Sequence, residues 1–320
     1  MKGRLEMSDN INRRNFLKNS LLTSAGIVSA LGFEEQTLLA AVSDEEKGET
    51  KPAAEAPASK EPVKGLQTGK IGKLTISRLL CGGNLISGYA HSRNLIYVSS
   101  LMKHYFTDEK IIETFRICEE NGINTAVLRL DDKTIKILNK YWKSGGKIQW
   151  IAQLKPTESD QISDAQKAVD NGAKGGFSHG GVGDTFFENG RVDLLGKTVS
   201  FLKEKGLIAG VGAHSIDVVM AAEDAKLDPD FYFKTLNTAD YECEAPEKTI
   251  EYMQNIKKPW IGFKVLGAGV KKPQEGFKYA FDGGADFINV GMYDFQIKTD
   301  AAIAKEAIEN AKARKRPWMG

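Results

Sequence analysis

Short apolar runs alternate with longer stretches of helical period along most of the chain, starting just beyond Gly69. The runs are Arg78-Leu79-Leu80-Cys81, Thr125-Ala126-Val127-Leu128, Gln149-Trp150-Ile151-Ala152 and Gly175-Gly176-Phe177-Ser178. They continue with Ile208-Ala209-Gly210-Val211-Gly212, Phe231-Tyr232-Phe233, Ile261-Gly262-Phe263-Lys264-Val265 and Phe287-Ile288-Asn289-Val290. Each is too brief for a helix and reads as a buried strand. The stretches between them place apolar residues on one helical face. Ile111, Ile112, Phe115 and Ile117 follow a capping Asp108, residues 193–205 carry Leu194, Leu195, Val199 and Leu202, and residues 300–312 carry Ala301, Ile303, Ala304 and Ile308. Gly122, Gly172, Gly206 and Gly284 stand just before the next strand, where a left-handed glycine ends a helix. Eight strand-helix units imply parallel strands with crossover helices, and the predicted fold class is α/β, a (β/α)8 TIM barrel. A doubly wound sheet is disfavoured, because Cys81-Gly82-Gly83-Asn84 opens a long insertion and not a GxGxxG turn into a helix.

The residues ahead of this pattern read differently. Residues 12–18 are Asn-Arg-Arg-Asn-Phe-Leu-Lys, a mildly apolar run follows over 21–33, and Ala41-Val42-Ser43 is a small-x-small cleavage pattern. Arg13-Arg14 followed by Phe16-Leu17-Lys18 resembles the twin-arginine translocation signal. The resemblance implies the translocation machinery as a partner, export in the folded state, and a periplasmic or other extracytoplasmic location. An ordinary amphipathic N-terminal helix is the alternative. No cysteine follows the run, so no lipoprotein anchor is expected. Residues 44–65 hold Glu, Lys, Pro, Ala and Ser without an aromatic residue, the composition of a disordered linker. The expected organisation is a signal peptide over 1–43, a linker over 44–68 and a barrel over 69–320.

Composition narrows the function classes. Hydrophobic residues at 41% and charged residues at 27% are globular values. Lys+Arg 44 against Asp+Glu 42 gives a net charge of +2, which offers nucleic acid no polyelectrolyte partner. Cys81, Cys118 and Cys243 include no CxxC pair and read as small apolar residues. No apolar run approaches the roughly 18 residues that span a bilayer. A small-molecule substrate is expected, with no nucleic acid and no stable membrane anchor.

Barrel chemistry sits where strands end, which turns the sequence into a shortlist. Gly83-Asn84 and a long loop with Tyr89, His91, Arg93, Tyr97 and His104 follow the first strand. Later strand ends bring Arg129, Asp131 and Asp132, then Gln153 and Lys155, then His179, then His214 and Ser215. Asn237, Lys264, Met292 and Asp294 complete the set. All 4 histidines fall at these ends or in the first loop. The candidate catalytic residues are His179, Lys155, Arg129, Asp131 and His214. His179 is expected at the mouth beside Lys155 and Arg129, whose charges keep it neutral, as a base or a hydrogen-bond partner for a carbonyl or hydroxyl. His179, His214 and Asp131 could form a two-histidine, one-carboxylate set, but no HxH or HExxH spacing supports it and no metal is expected. No GxSxG elbow marks a serine hydrolase. Gly180-Gly181 and Gly267-Ala268-Gly269 either let backbone amides approach an anion or form tight turns. Tyr89, Tyr97, Tyr105 and Phe106 either stack on sugar faces or pack the first loop onto the barrel.

The order of these motifs resembles the aldo-keto reductase superfamily. Residues 69–79 are similar to its opening hairpin and first strand, and Glu120-Asn121-Gly122-Ile123-Asn124 to its approach to the second. Residues 203–215 resemble the passage into strand five, and Lys264-Val265-Leu266-Gly267-Ala268-Gly269 the end of strand seven. The resemblance implies an Asp-Tyr-Lys-His tetrad and a nicotinamide cofactor. Here the Asp station falls on Val127 and the Tyr station on Asp132; Lys155 stands near the Lys station and His179 fills the His station. It further implies a cofactor cradle of Ser215, Asn237, Lys264, Gly267 and Gly269, while Lys298 alone makes no 2′-phosphate cluster. NADP and no cofactor at all therefore stand side by side. The leading expectation is an exported, oxidoreductase-related barrel with a remodelled site for a small carbonyl or sugar-like substrate. A cofactor-free lyase, isomerase or hydrolase on carbohydrates, and a non-catalytic binding protein, are the alternatives. Without the tyrosine and the aspartate, little NADPH-dependent reduction of simple aldehydes is expected.

Overall fold

The computed structural model describes residues 65–89 and 95–320. The expected signal, residues 44–64 of the expected linker, and His91 and Arg93 lie outside the described residues. An antiparallel hairpin of β1 (Thr68–Ile71) and β2 (Leu74–Ser77) comes first. Leu66, just ahead of it, is already buried in the core. The next strands are β3 (Leu79–Gly82), β4 (Thr125–Arg129), β5 (Gln149–Leu154), β6 (Gly175–Ser178) and β7 (Ile208–Ala213). They continue with β8 (Phe231–Thr235), β9 (Trp260–Phe263) and β10 (Phe287–Val290). These eight pair in parallel in chain order and close as a barrel, with Val290 of β10 opposite Cys81 of β3.

Alternation along each strand explains why the sequence shows continuous apolar runs: one set of side chains fills the barrel and the other meets the helices. Leu80, Val127, Ile151, Phe177, Phe233 and Ile261 point inward together with Ile71 and Ile76 of the hairpin. Their neighbours Cys81, Leu128, Trp150, Ala152, Tyr232 and Ile288 join the outer core. The interior is aromatic toward one side, where Phe233 lies 4.3 Å from Phe177 and 4.4 Å from Phe263, centroid to centroid.

The helices are α1 (Ile96–Tyr105), α2 (Asp108–Glu120), α3 (Asp132–Lys143), α4 (Ser163–Asp170) and α5 (Gly180–Glu188). They continue with α6 (Asp193–Glu204), α7 (Ile216–Asp224), α8 (Pro246–Met253), α9 (Pro273–Asp282) and α10 (Asp294–Glu309). The four glycines expected to end helices have φ of 82° (Gly122), 83° (Gly172), 75° (Gly206) and 108° (Gly284). Four differences from the sequence reading matter. The first long loop contains α1, and Gly180-Gly181 opens α5 where a turn or anion cradle was considered. The last helix begins at Asp294, six residues early, because Gln296 Oε1 accepts the Tyr293 N–H at 3.0 Å and starts it there, and it ends at Glu309. β9 stops at Phe263 and leaves out Val265, since Lys264 turns left-handed at φ 56°. Among the described residues no helix is long and apolar enough to cross a membrane.

Candidate active site

His179 ends β6 and is the N-cap of α5, where its Nδ1 accepts the Gly181 N–H at 3.1 Å. Burial pushes its imidazolium down to about 4, and the charges of Lys155, His214, Lys264 and Arg129 push in the same direction. At neutral pH the ring is uncharged, and with Nδ1 already accepting, its hydrogen sits on Nε2. Of the two expected roles, base and hydrogen-bond partner, this geometry favours the second: Nε2–H is a donor.

His214 ends β7, and its ring lies 6.3 Å from that of His179. Asp184, from the first turns of α5, holds it twice: Oδ2 lies 2.6 Å from Nδ1, and Oδ1 accepts the backbone N–H of His214 at 3.0 Å. Burial acts to raise the Asp184 carboxyl, but these bonds and the Ser215 N–H outweigh it and hold it below its usual range. On the other side Glu242 Oε2 lies 3.1 Å from His214 Nε2 and 2.6 Å from Lys264 Nζ. Asp184 and Glu242 were missed in the sequence, one because it lies on the unexpected α5, the other because the loop after β8 has no motif. That loop and the one after β9 hold five of the seven left-handed non-glycine residues among the described ones: Asp240, Glu242, Ala245, Lys264 and Ala268. Such conformations cost about 1–3 kcal/mol each and concentrate at functional sites.

Arg129 and Tyr89 form the opposite side of the mouth. The guanidinium carbon lies 4.3 Å from the Tyr89 ring centroid. A hydrogen bond and the charge of Arg129, aided by Lys155 and Lys103, hold the Tyr89 phenol below its usual range. A cavity of about 180 Å³ opens beside them, against Leu128, Asp131, Lys133 and Thr134.

Other expected site residues are engaged elsewhere. Asp131 caps α3, with Oδ1 accepting the Thr134 N–H at 2.8 Å. Ser215 caps α7, accepting the Asp217 N–H at 3.1 Å while its hydroxyl donates to the Asp217 carboxylate at 3.2 Å. Asn237 folds its own loop: Oδ1 accepts from Ala239 and Tyr241 N–H, and Nδ2 donates to the Tyr241 carbonyl at 2.9 Å. The Gly267 N–H donates to Lys264 O and the Gly269 N–H to Leu266 O, so these glycines make a turn and no anion cradle. The tetrad stations hold Val127, a core residue inside the barrel, and Asp132, an exposed group on α3 paired with Lys167 at 2.7 Å. Phe106 is buried and Tyr105 packs on it and on Tyr293, so these two aromatics fix the first insertion and do not face the mouth. Among the described residues no three potential ligands gather to hold a metal ion.

The fold has clear relatives among solved structures. A Pseudomonas aeruginosa protein named as an aldo-keto reductase matches with a TM-score of 0.60 at 16% identity, covering 78% of this chain and 98% of that one. The apo form of Gox0644 matches at 0.54 and 11% identity, covering 80% and 97%. A variant of Gox0644 in complex with NADPH matches at 0.53 and 11%, covering 79% and 97%. No family model and no curated protein matches the sequence. What the chain shares with these proteins is the fold, a closed eight-stranded parallel α/β barrel.

Proposed function

We propose that this chain is an oxidoreductase-related enzyme with a remodelled site that binds and polarises the carbonyl of a small carbonyl or sugar-like substrate. The observation that carries the reading is His179: neutral, held by Gly181, and offering Nε2–H at the mouth of the barrel. A donor of this kind stabilises negative charge as it develops on a carbonyl oxygen. Tyr89, a phenol made more acidic by Arg129 and Lys155, is the group suited to give or take the proton on that oxygen. It arrives from the loop after β3, so the missing tyrosine at the second-strand station does not leave the mouth without a phenol.

The residues present do not fit a nicotinamide cofactor in the way the family resemblance implies. The polar atoms of Ser215 and Asn237, the amides of Gly267 and Gly269, and the Lys264 ammonium all have internal partners. Reduction by a nicotinamide remains the second reading, favoured by the likeness in fold to the NADPH-bound Gox0644 variant.

The test is a carbonyl probe. Pyruvate labelled with 13C at its keto carbon is expected to shift downfield on binding the wild-type protein. His179→Gln should abolish most of that shift, and Tyr89→Phe should reduce it. An unshifted resonance, or a shift indifferent to His179→Gln, contradicts the reading. Oxidation of NADPH by the same mixture, at rates expected of a working reductase, would select the second.

A further inference from the structure

One carboxylate of the chain itself stands over two shielded basic groups of the mouth, Lys264 and His214. Glu242 bridges Lys264 Nζ and His214 Nε2, at 2.6 and 3.1 Å. The Lys264 and His214 side chains are only 11% and 19% exposed, whereas that of Glu242 is 43% exposed. The carboxylate is therefore the outer member and the two basic groups the fixed inner ones. Lys264 is fixed by the left-handed turn that ends β9, with its ammonium 4.7 Å from the Tyr241 ring centroid. His214 is fixed by Asp184. A shielded ammonium beside an imidazole needs an acceptor, because a cation withdrawn from water without one is strongly unfavourable. Departure of Glu242 is favoured when another anion takes its place.

The loop suits such an exchange. Asn237 anchors its first half through Ala239 and Tyr241, and Glu242 is the next residue beyond that anchor. Asp240, Glu242 and Ala245 have φ of 53°, 47° and 46°, a region that L residues enter reluctantly. Release of the carboxylate would let that backbone relax. The His179 ring lies nearby, with its centroid 6.3 Å from that of His214. That spacing suits a carboxylate and a carbonyl or hydroxyl carried on one short carbon skeleton.

We propose that Glu242 holds the place of a substrate carboxylate, and that the substrate class is a small oxo acid or sugar acid. Its carboxylate bridges Lys264 Nζ and His214 Nε2 while an oxygen further along accepts from His179. The inference rests on the His179 reading for the second contact; the carboxylate half stands on other residues, so the two can fail separately.

The experiment is calorimetric titration of the full chain with D-glucuronate and D-glucose, the same ring with and without a carboxylate. Glucuronate is expected to bind about tenfold tighter than glucose, in keeping with a shielded charge pair. Glu242→Gln and Glu242→Ala each remove the competing anion and should tighten glucuronate by about tenfold, whereas Lys264→Gln should weaken it by at least about that factor. Glucose affinity should not move in the Glu242 variants. Equal affinity for the two sugars, or no gain in either Glu242 variant, overturns the proposal. Inorganic phosphate binding more tightly than glucuronate, with the same dependence on Lys264, overturns the carboxylate assignment. A lost 13C shift with carboxylate affinity intact sinks the His179 reading alone, and the reverse sinks this inference alone.

Discussion

Lys234 projects from β8 to the helix side and is fully buried. Among the described residues no carboxylate comes within ion-pair distance of it; its Nζ donates to the Thr235 carbonyl at 3.0 Å and the Thr235 hydroxyl at 2.8 Å. That hydroxyl in turn donates to the His214 carbonyl at 3.0 Å, so the lysine braces the site from behind. Burial lowers the Lys234 ammonium to about 8, from an ordinary 10.5. Between those values the unfolded chain binds the proton and the folded chain does not, so stability rises with pH through this window. The contribution amounts to roughly 3 kcal/mol across it. Urea midpoints at pH 8 and pH 10 should therefore show a gain in the wild type that Lys234→Met lacks; equal gains in both would remove this role.

Residue identity and strand-end position were enough to bring His179, His214, Lys155, Arg129 and Lys264 to one mouth. They could not tell a ligand-binding polar group from one that completes its own backbone. Ser215, Asn237 and Asp131 are residue types that serve both purposes, and here all three close caps or turns. The spacings Ser215-x-Asp217 and Asp131-x-x-Thr134 carried that signal. The bridge from Glu242 to Lys264 left none, because it joins loops from two different strands.

Elements were legible where periodicity was strong. The eight strands and the helices over 108–120, 193–204 and 294–309 follow from it, but α5 does not, since Gly180, Gly181 and Gly183 are poor helix formers. Packing overrides propensity there. A Cβ built on Gly183 would lie 2.1 Å from the Gly212 carbonyl oxygen of β7, so the helix can lie this close to the barrel only with glycine at that position. Gly180 likewise leaves room for the His214 ring, 2.9 Å from where its Cβ would be. The approach carries Asp184 to His214. Gly183→Ala is expected to lower stability by about 1–3 kcal/mol through overpacking against backbone, and to loosen the Asp184 contact. A urea midpoint indistinguishable from wild type would show that α5 does not need this closeness.

For the molecule as a whole, barrel and site were unequally readable for a physical reason. A closed parallel barrel imposes buried strands at regular intervals, and that pattern survives replacement of the mouth residues. The base is closed by a buried ionic group in which Asp286 accepts from Arg314 and Arg316, with Arg78 donating to the Asp286 carbonyl at 2.8 Å. Stability is thus anchored at one end, and the loops at the other end are free to vary. The whole arrangement converges on the state of one ring: β6 delivers His179, α5 fixes its Nδ1, and burial, aided by the surrounding cations, keeps it uncharged. Imidazole 15N chemical shifts of His179, followed from pH 8 down to pH 3, test this most directly. The expected result is a neutral ring with its hydrogen on Nε2 that takes up a proton only near pH 4. Protonation near the ordinary 6.5, or a neutral ring with its hydrogen on Nδ1, would contradict it.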